Sequence, residues 1–144
     1  MRVTIYTDAS HIPGTNTGTF AFWIRWEHGR LIKNGKFKDE ILDSYRAEVR
    51  CVLNAIYFAK KNIPNIDTLF MVTDCTPVIN LLKHRNNKPA TLIKMSGEIV
   101  AYEGLTKGIT VHWKHVKGHR GGRTLQSYIN EQCDKLAREA RYKK

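Results

Sequence analysis

Residues 68–84 read TLFMVTDCTPVINLLKH, and this stretch decides the fold. Leu69 to Val72 form a short, nearly continuous apolar run, the pattern of a strand that fills the centre of a sheet and is buried on both faces. Pro77 then stands where the first turn of a helix tolerates a residue without an N–H, so TPVINLLKH reads as a helix opening behind the strand. A buried strand that feeds straight into a helix is a unit of α/β architecture.

Outward from this unit the period of the pattern changes in both directions. Upstream, SYRAEVRCVLNAIYFAKK over residues 44–61 reads as a helix with Pro64 closing the loop behind it. Before it, RVTIYTD alternates as a strand should, and GTFAFWIRWEHGRLIKNGKFKDE reads as two further strands around a turn at His28-Gly29-Arg30, giving an antiparallel meander. Downstream, RNNKP is a loop, ATLIKMSGEIVAYEG a further helix, GITVHWKHV a last strand and SYINEQCDKLAREARYKK a closing helix. The sum is an α/β fold with a five-stranded sheet of mixed direction in a single domain, residues 1–144, with no repeat or linker.

Composition bounds the partners. With 24 Lys and Arg against 13 Asp and Glu the net charge is +11, which reads either as the footprint of a phosphate-rich partner or an anionic surface, or as a protein that is merely soluble and basic. The excess is steepest in residues 111–144, where nine basic residues face Glu131, Asp134 and Glu139. Cys51, Cys75 and Cys133 are odd in number and far apart, which suits reduced thiols in packing roles. Thr4, Thr7 and Asp8 break the first apolar stretch and nothing approaches a membrane span, so a soluble cytoplasmic protein is expected, with no membrane and no obligate protein partner.

Four acids are not explained by packing alone. Helical spacing puts Glu48 on the stripe of Cys51, Val52, Ala55 and Ala59, so a carboxylate heads a buried face; the plainer reading is an acid favoured by the helix dipole in a first turn. Asp8 and Asp74 each end an apolar strand with the same dipeptide, in IYTDAS and MVTDCT, at the carboxyl ends where open α/β sheets build their sites. If those strands are adjacent and parallel their ends lie about 4.8 Å apart, and two ionised carboxylates so close repel unless a cation sits between them. Each alone also reads as a turn or cap residue. Asn130 and Asp134 fall on the margin of the last helix, one turn apart, where Asp134 has the alternative of pairing with Arg138 at i+4. Carboxylates converging on hard divalent cations, with phosphate oxygens completing the coordination, make a phosphodiester-cleaving site. A zinc site on His112, His115 and His119 is disfavoured, because strand alternation points His112 and His115 to opposite faces.

Taken together, YTDAS, YRAEV around Glu48, VTDCTPVINLL around Asp74 and HVKGHRG with NEQCDKLAR around His119 and Asp134 resemble the type 1 ribonuclease H family over nearly the whole chain. The resemblance implies a ribonuclease H-like fold, a three-strand antiparallel meander plus two parallel strands flanked by helices. It implies an endonuclease that cuts the RNA strand of RNA–DNA hybrids with two Mg²⁺ ions, Mn²⁺ being a possible substitute, and leaves a 5′-phosphate and a 3′-hydroxyl. By the same similarity Asp8, Glu48, Asp74 and Asp134 are metal ligands, and His119 is a loop histidine that assists proton transfer or product release. Asn130, Lys117, Arg120, Ser44 and Ser10 are expected to contact nucleic acid. Ser44 and Tyr45 stand where many members carry two asparagines, and the tryptophan-bearing basic protrusion of some bacterial members is reduced to RNNKP. Two other functions stay open: a sister nuclease of the same fold acting on DNA or structured nucleic acid, and a non-cleaving hybrid-binding domain.

Overall fold

A computed structural model describes residues 1–85, 87–116 and 124–143. β1 (Arg2–His11), β2 (Gly18–Trp26) and β3 (Gly29–Lys36) form the meander, followed by α1 (Ser44–Asn62) and β4 (Thr68–Thr73). α2 (Thr76–Ile79) runs into a π-helical turn (Asn80–His84), and α3 (Pro89–Lys94), α4 (Ser96–Thr106), β5 (Thr110–His115), α5 (Leu125–Glu139) and a 3₁₀ turn (Ala140–Tyr142) complete the chain. The sheet order is β3-β2-β1-β4-β5. β1 is antiparallel to β2 and β2 to β3, whereas β1–β4 and β4–β5 are parallel, so the mixed five-stranded sheet is as expected.

The central strands bury both faces. Val3, Ile5, Leu69 and Met71 pack with Val52, Ala55 and Ile56 of α1, while Tyr6 and Val72 pack with Ile129, Cys133 and Ala137 of α5. Alternation along β1 and β4 is therefore read by a helix on each side, which is why residues 69–72 are apolar without interruption. α1 begins at Asp43, whose Oδ1 accepts the Arg46 N–H at 2.8 Å, and its last turn carries Lys60 and Lys61 against the negative end of the dipole. The stripe that sets its angle on the sheet, Cys51, Val52, Ala55 and Ala59, has no exposure at all. Truncating Ile56, equally buried, to Ala costs about 2–5 kcal/mol by the usual cavity penalty.

Several boundaries differ from the expectation. The first hairpin turns at Glu27-His28, with Trp26 opposite Gly29, one residue earlier than His28-Gly29-Arg30. The helix expected over ATLIKMSGEIVAYEG is two helices, broken at Met95 (φ −101°, ψ 14°). Met95 is 2% exposed, and Ser96-Gly97 directly behind it favours a break, so burying this side chain outweighs continuity of the helix. α5 starts two residues before Ser127 because Thr124 caps it, accepting the Ser127 N–H at 3.0 Å, and it tightens to a 3₁₀ turn at Ala140.

Candidate active site

The parallel pairing of β1 with β4 runs from Arg2–Thr68 to Tyr6–Val72, and two residues further along each strand stand Asp8 and Asp74. Asp74 follows the last residue of β4, as expected. Asp8 does not end its strand: β1 continues to His11, paired with β2, so Asp8 marks only the point where its parallel neighbour leaves. That departure opens a notch at the carboxyl end of the sheet, the position where α/β sheets accept ligands. Glu48, one turn into α1, reaches the same notch, and one carboxylate oxygen from each of Asp8, Glu48 and Asp74 lies within 4.8 Å of the others.

The notch is nearly dry. Asp8 is 5% exposed and Glu48 9%. Ala9 N–H donates to both, at 2.9 Å to Asp8 Oδ1 and 3.0 Å to Glu48 Oε1, fixing the two carboxyls relative to each other. That shared backbone donor is invisible in a sequence motif, since any residue except proline supplies it. Burial first, then the neighbouring charges of Asp74 and Asp134, push Asp8 up to about 7; the hydrogen bond from Glu48 and the Ala9 N–H work in the other direction. Burial and the proximity of Asp8 hold Glu48 well above the usual carboxylate range. Glu48 Oε2 is buried and receives no donor. A buried carboxylate oxygen so placed calls for a proton or a cation.

Around this centre the other expected residues separate. Asp134 on α5 raises Asp8 electrostatically, yet it stands outside the group of three that converge and pairs with Arg138 at 3.2 Å, the i,i+4 alternative left open above. Asn130 is not on the helix margin as expected: it is 3% exposed, because the inward arc of α5 is wide enough to include the position beside Ile129. Ser44 is exposed in the first turn of α1, whereas Tyr45 beside it turns inward and its hydroxyl is buried. Ser10 is held by the guanidinium of Arg141, from the 3₁₀ turn that closes the chain. Lys117, His119 and Arg120 lie outside the described residues. His112 stacks on Phe70 with ring centroids 5.1 Å apart, while a His115 ring nitrogen lies 3.2 Å from the Asp74 carbonyl oxygen, so the two histidines share no site.

Two supports of the notch were not anticipated as such. Cys51 Sγ lies 3.3 Å from the Asp8 carbonyl and 3.4 Å from that of Ala21, so the thiol of α1 braces the strand pair directly behind the acids. Cys133 makes a longer contact of the same kind, 3.9 Å, to Tyr6 O from α5. Their place on the buried helix stripes was legible, and the contact to a β1 carbonyl was not. All three cysteines are free.

An RNase H family model matches residues 1–142. Ribonuclease H of Actinobacillus succinogenes is 28% identical over 144 residues, covering 96% of this chain and 88% of that protein. Human Ribonuclease H1 is 30% identical, covering 95% of this chain and 49% of the human protein. Among solved structures, RNase H1 of Halobacterium salinarum superposes with a TM-score of 0.74 at 19% identity, covering 97% of both chains. LC11-RNase H1, solved in complex with an RNA/DNA hybrid, gives 0.70 at 15% identity over 96% of this chain and 95% of that one. The last two likenesses concern the fold, in which this sheet order and its flanking helices recur; the family match across residues 1–142 places the chain in the RNase H family.

Proposed function

We propose that this protein is a metal-dependent endonuclease that hydrolyses the RNA strand of RNA–DNA hybrids at the notch of Asp8, Glu48 and Asp74, working as a single domain. The observation that carries the reading is the buried, donorless Glu48 Oε2 facing two further carboxyls, an all-oxygen set that fits a hard divalent cation such as Mg²⁺. Zn²⁺ would favour nitrogen or sulfur donors. Asp8, Glu48 and Asp74 would hold two such hard ions, and Asp134 would join by exchanging its exposed partner Arg138, a pair worth only about 0.3–0.5 kcal/mol.

Divalent ions bound there would lower the pKa of the attacking water and neutralise charge on the phosphoryl and departing oxygens, so no protein nucleophile is needed. The chain's own groups do the rest. Ala9 N–H holds Asp8 and Glu48 in register, so their oxygens need not reorganise when the phosphate arrives. His119 is assigned proton transfer or assistance to product departure. Ser44, exposed beside the notch, and Ser10, Lys117 and Arg120 are assigned contacts to the nucleic acid; Asn130, so nearly buried, can offer only an edge of its amide. In-line attack by water on phosphorus would leave a 5′-phosphate and a 3′-hydroxyl. Three unpaired thiols suit a reducing, cytoplasmic setting, and among the described residues no helix is long and apolar enough to cross a membrane.

The net charge of +11 and the hybrid bound by LC11-RNase H1 support a nucleic-acid substrate. Discrimination between RNA and DNA rests on contacts to the 2′-hydroxyl. The test is cleavage of one labelled sequence as RNA–DNA hybrid, RNA duplex and DNA duplex, in Mg²⁺ and in chelator. The proposal expects only the hybrid's RNA strand to be cut, and only with the ion; cutting of the DNA duplex at a comparable rate would establish the sister-nuclease reading instead.

A further inference from the structure

Along one flank of α1, a groove of about 560 Å³ runs between the helix and β3. α1 contributes Arg50, Asn54, Tyr57, Phe58 and Lys61, spaced at i, i+4, i+7, i+8 and i+11, a helical stripe beside the packed one, with Phe58 at its inner edge against the core. β3 and the segment after it contribute Lys33, Gly35, Phe37 and Lys38. The floor is a row of aromatic rings, in which half-buried Phe37 and Phe58 stand on buried Phe20 and Phe22: Phe37 and Phe20 lie 5.1 Å apart by centroid, Phe20 and Phe22 5.7 Å, Phe22 and Phe58 5.5 Å. Gly35 keeps this floor open, because a Cβ there would stand 3.3 Å from the Phe20 ring. Tyr57, 60% exposed, gives the groove an accessible ring at its wall.

The rim is cationic. Five lysines and arginines line the groove against one carboxylate among the described residues, Asp39, and that one is already paired with Arg50 at 3.6 Å. Lys33 has its ammonium 4.9 Å from the centre of the Phe58 ring, so a charge and a flat apolar surface are presented together. Position ties the groove to the notch. Lys36 pairs with Thr19 and Thr19 with Ser10, which puts one end of the groove level with the residue two beyond Asp8. From Arg50 to Lys61 the helix rises about 16 Å, the length of about five stacked nucleotides at 3.4 Å each.

We propose that this groove binds single-stranded nucleic acid, the unpaired strand that continues from a duplex held at the acid notch; the second half of the statement rests on the nuclease reading, and the first does not. The combination of a basic rim with exposed and half-buried rings is the chemistry of sequence-tolerant single-strand binding, phosphates to lysine and bases stacked on aromatic faces. An acidic peptide would find the cations but would leave the ring faces without a partner.

The experiment measures binding of a labelled oligothymidylate of about eight nucleotides by fluorescence anisotropy in chelator, beside cleavage of a blunt hybrid in Mg²⁺. Combined Lys33→Ala, Tyr57→Ala and Lys61→Ala should weaken oligonucleotide binding by about tenfold or more. With two lysines gone, the slope of log K against log salt should become shallower by about 1.4. Blunt-hybrid cleavage should be unchanged, and Lys61→Gln alone, a neutral good helix former at an exposed position near the end of α1, should weaken binding in the same direction with little cost to the fold. Unaltered oligonucleotide binding in both variants would overturn the proposal, as would an equal loss on the blunt hybrid or displacement of the oligonucleotide by oligoglutamate at matched concentration. Groove-dependent oligonucleotide binding in a protein that cuts no hybrid would sink the nuclease reading and leave this one standing.

Discussion

Replacing Asp8 by Asn should make the metal-free protein more stable at neutral pH, an unusual result for a change at a 5% exposed position. Asp8 is raised from 3.8 to about 7, chiefly by burial and then by Asp74. Between those two values the unfolded chain has released the proton and the native chain has kept it, so the native state binds more protons and stability falls as pH rises through this window. The destabilisation is absent below about pH 4 and complete above about pH 7. A displacement of about three units corresponds to about 4 kcal/mol. Relaxation of the notch and the proton shared with Glu48 reduce this to about 2–4 kcal/mol. Asn keeps the shape, retains an acceptor for the Ala9 N–H and carries no charge. Urea titrations in chelator should therefore show the Asp8→Asn midpoint about 1–2 M above wild type near pH 8. The two midpoints should converge near pH 4. A variant no more stable than wild type near pH 8, or an advantage independent of pH, would refute the crowding of buried charge on which the site assignment rests.

Three further outcomes follow from the same geometry. Millimolar Mg²⁺ should raise the melting temperature of wild type, by about 8–10 °C when the ion is at a hundredfold its Kd, and by less in Asp8→Asn; an equal rise in both, read by differential scanning calorimetry, would place the ion elsewhere. His119→Ala should slow steady-state turnover by about 10²–10⁴-fold or less while the Mg²⁺-dependent stabilisation survives; unchanged turnover at every pH would make the residue a bystander, and lost stabilisation would make it a ligand. Arg138→Ala should leave kcat within about threefold, because Asp134 gives up only an exposed ion pair, and a drop of a hundredfold would show that this guanidinium acts in the site itself.

Much of the fold was legible because it follows from period. The uninterrupted run Leu69–Val72 can be satisfied only by helices on both faces, and the 3.6-residue stripe of α1 fixed which face of that helix carries Glu48. What the pattern could not give was set by contacts distant in sequence. The break at Met95 depends on a buried side chain finding its place against α1; Ser96-Gly97 behind it eases a break, while the apolar period on either side reads as one helix. The notch was legible in its members and not in its arrangement. Identical dipeptides ending two apolar runs announced Asp8 and Asp74, but the continuation of β1 past Asp8 depends on its pairing with β2. Asp134 was placed by helical spacing on the correct element, while its choice between Arg138 and the acid cluster is a balance of small electrostatic terms that spacing does not resolve. The bracing of β1 carbonyls by Cys51 is likewise a tertiary contact, since the sequence shows only a small apolar residue on a buried stripe.

The measurement that bears most directly on the central claim is single-turnover cleavage of an RNA–DNA hybrid in Mg²⁺ by wild type and by Asp74→Asn, with hybrid affinity determined on the same preparations. Asp74 lies half-buried at the end of β4, with a carboxylate oxygen within 4.8 Å of one from each of the other two acids, and its replacement would take away a proposed cation ligand while leaving the Ala9 bridge between Asp8 and Glu48 intact. The account predicts cleavage reduced by at least about 10³-fold, with affinity for the hybrid retained or increased because a negative charge facing the phosphates is gone. Cleavage at the wild-type rate in Asp74→Asn would contradict it.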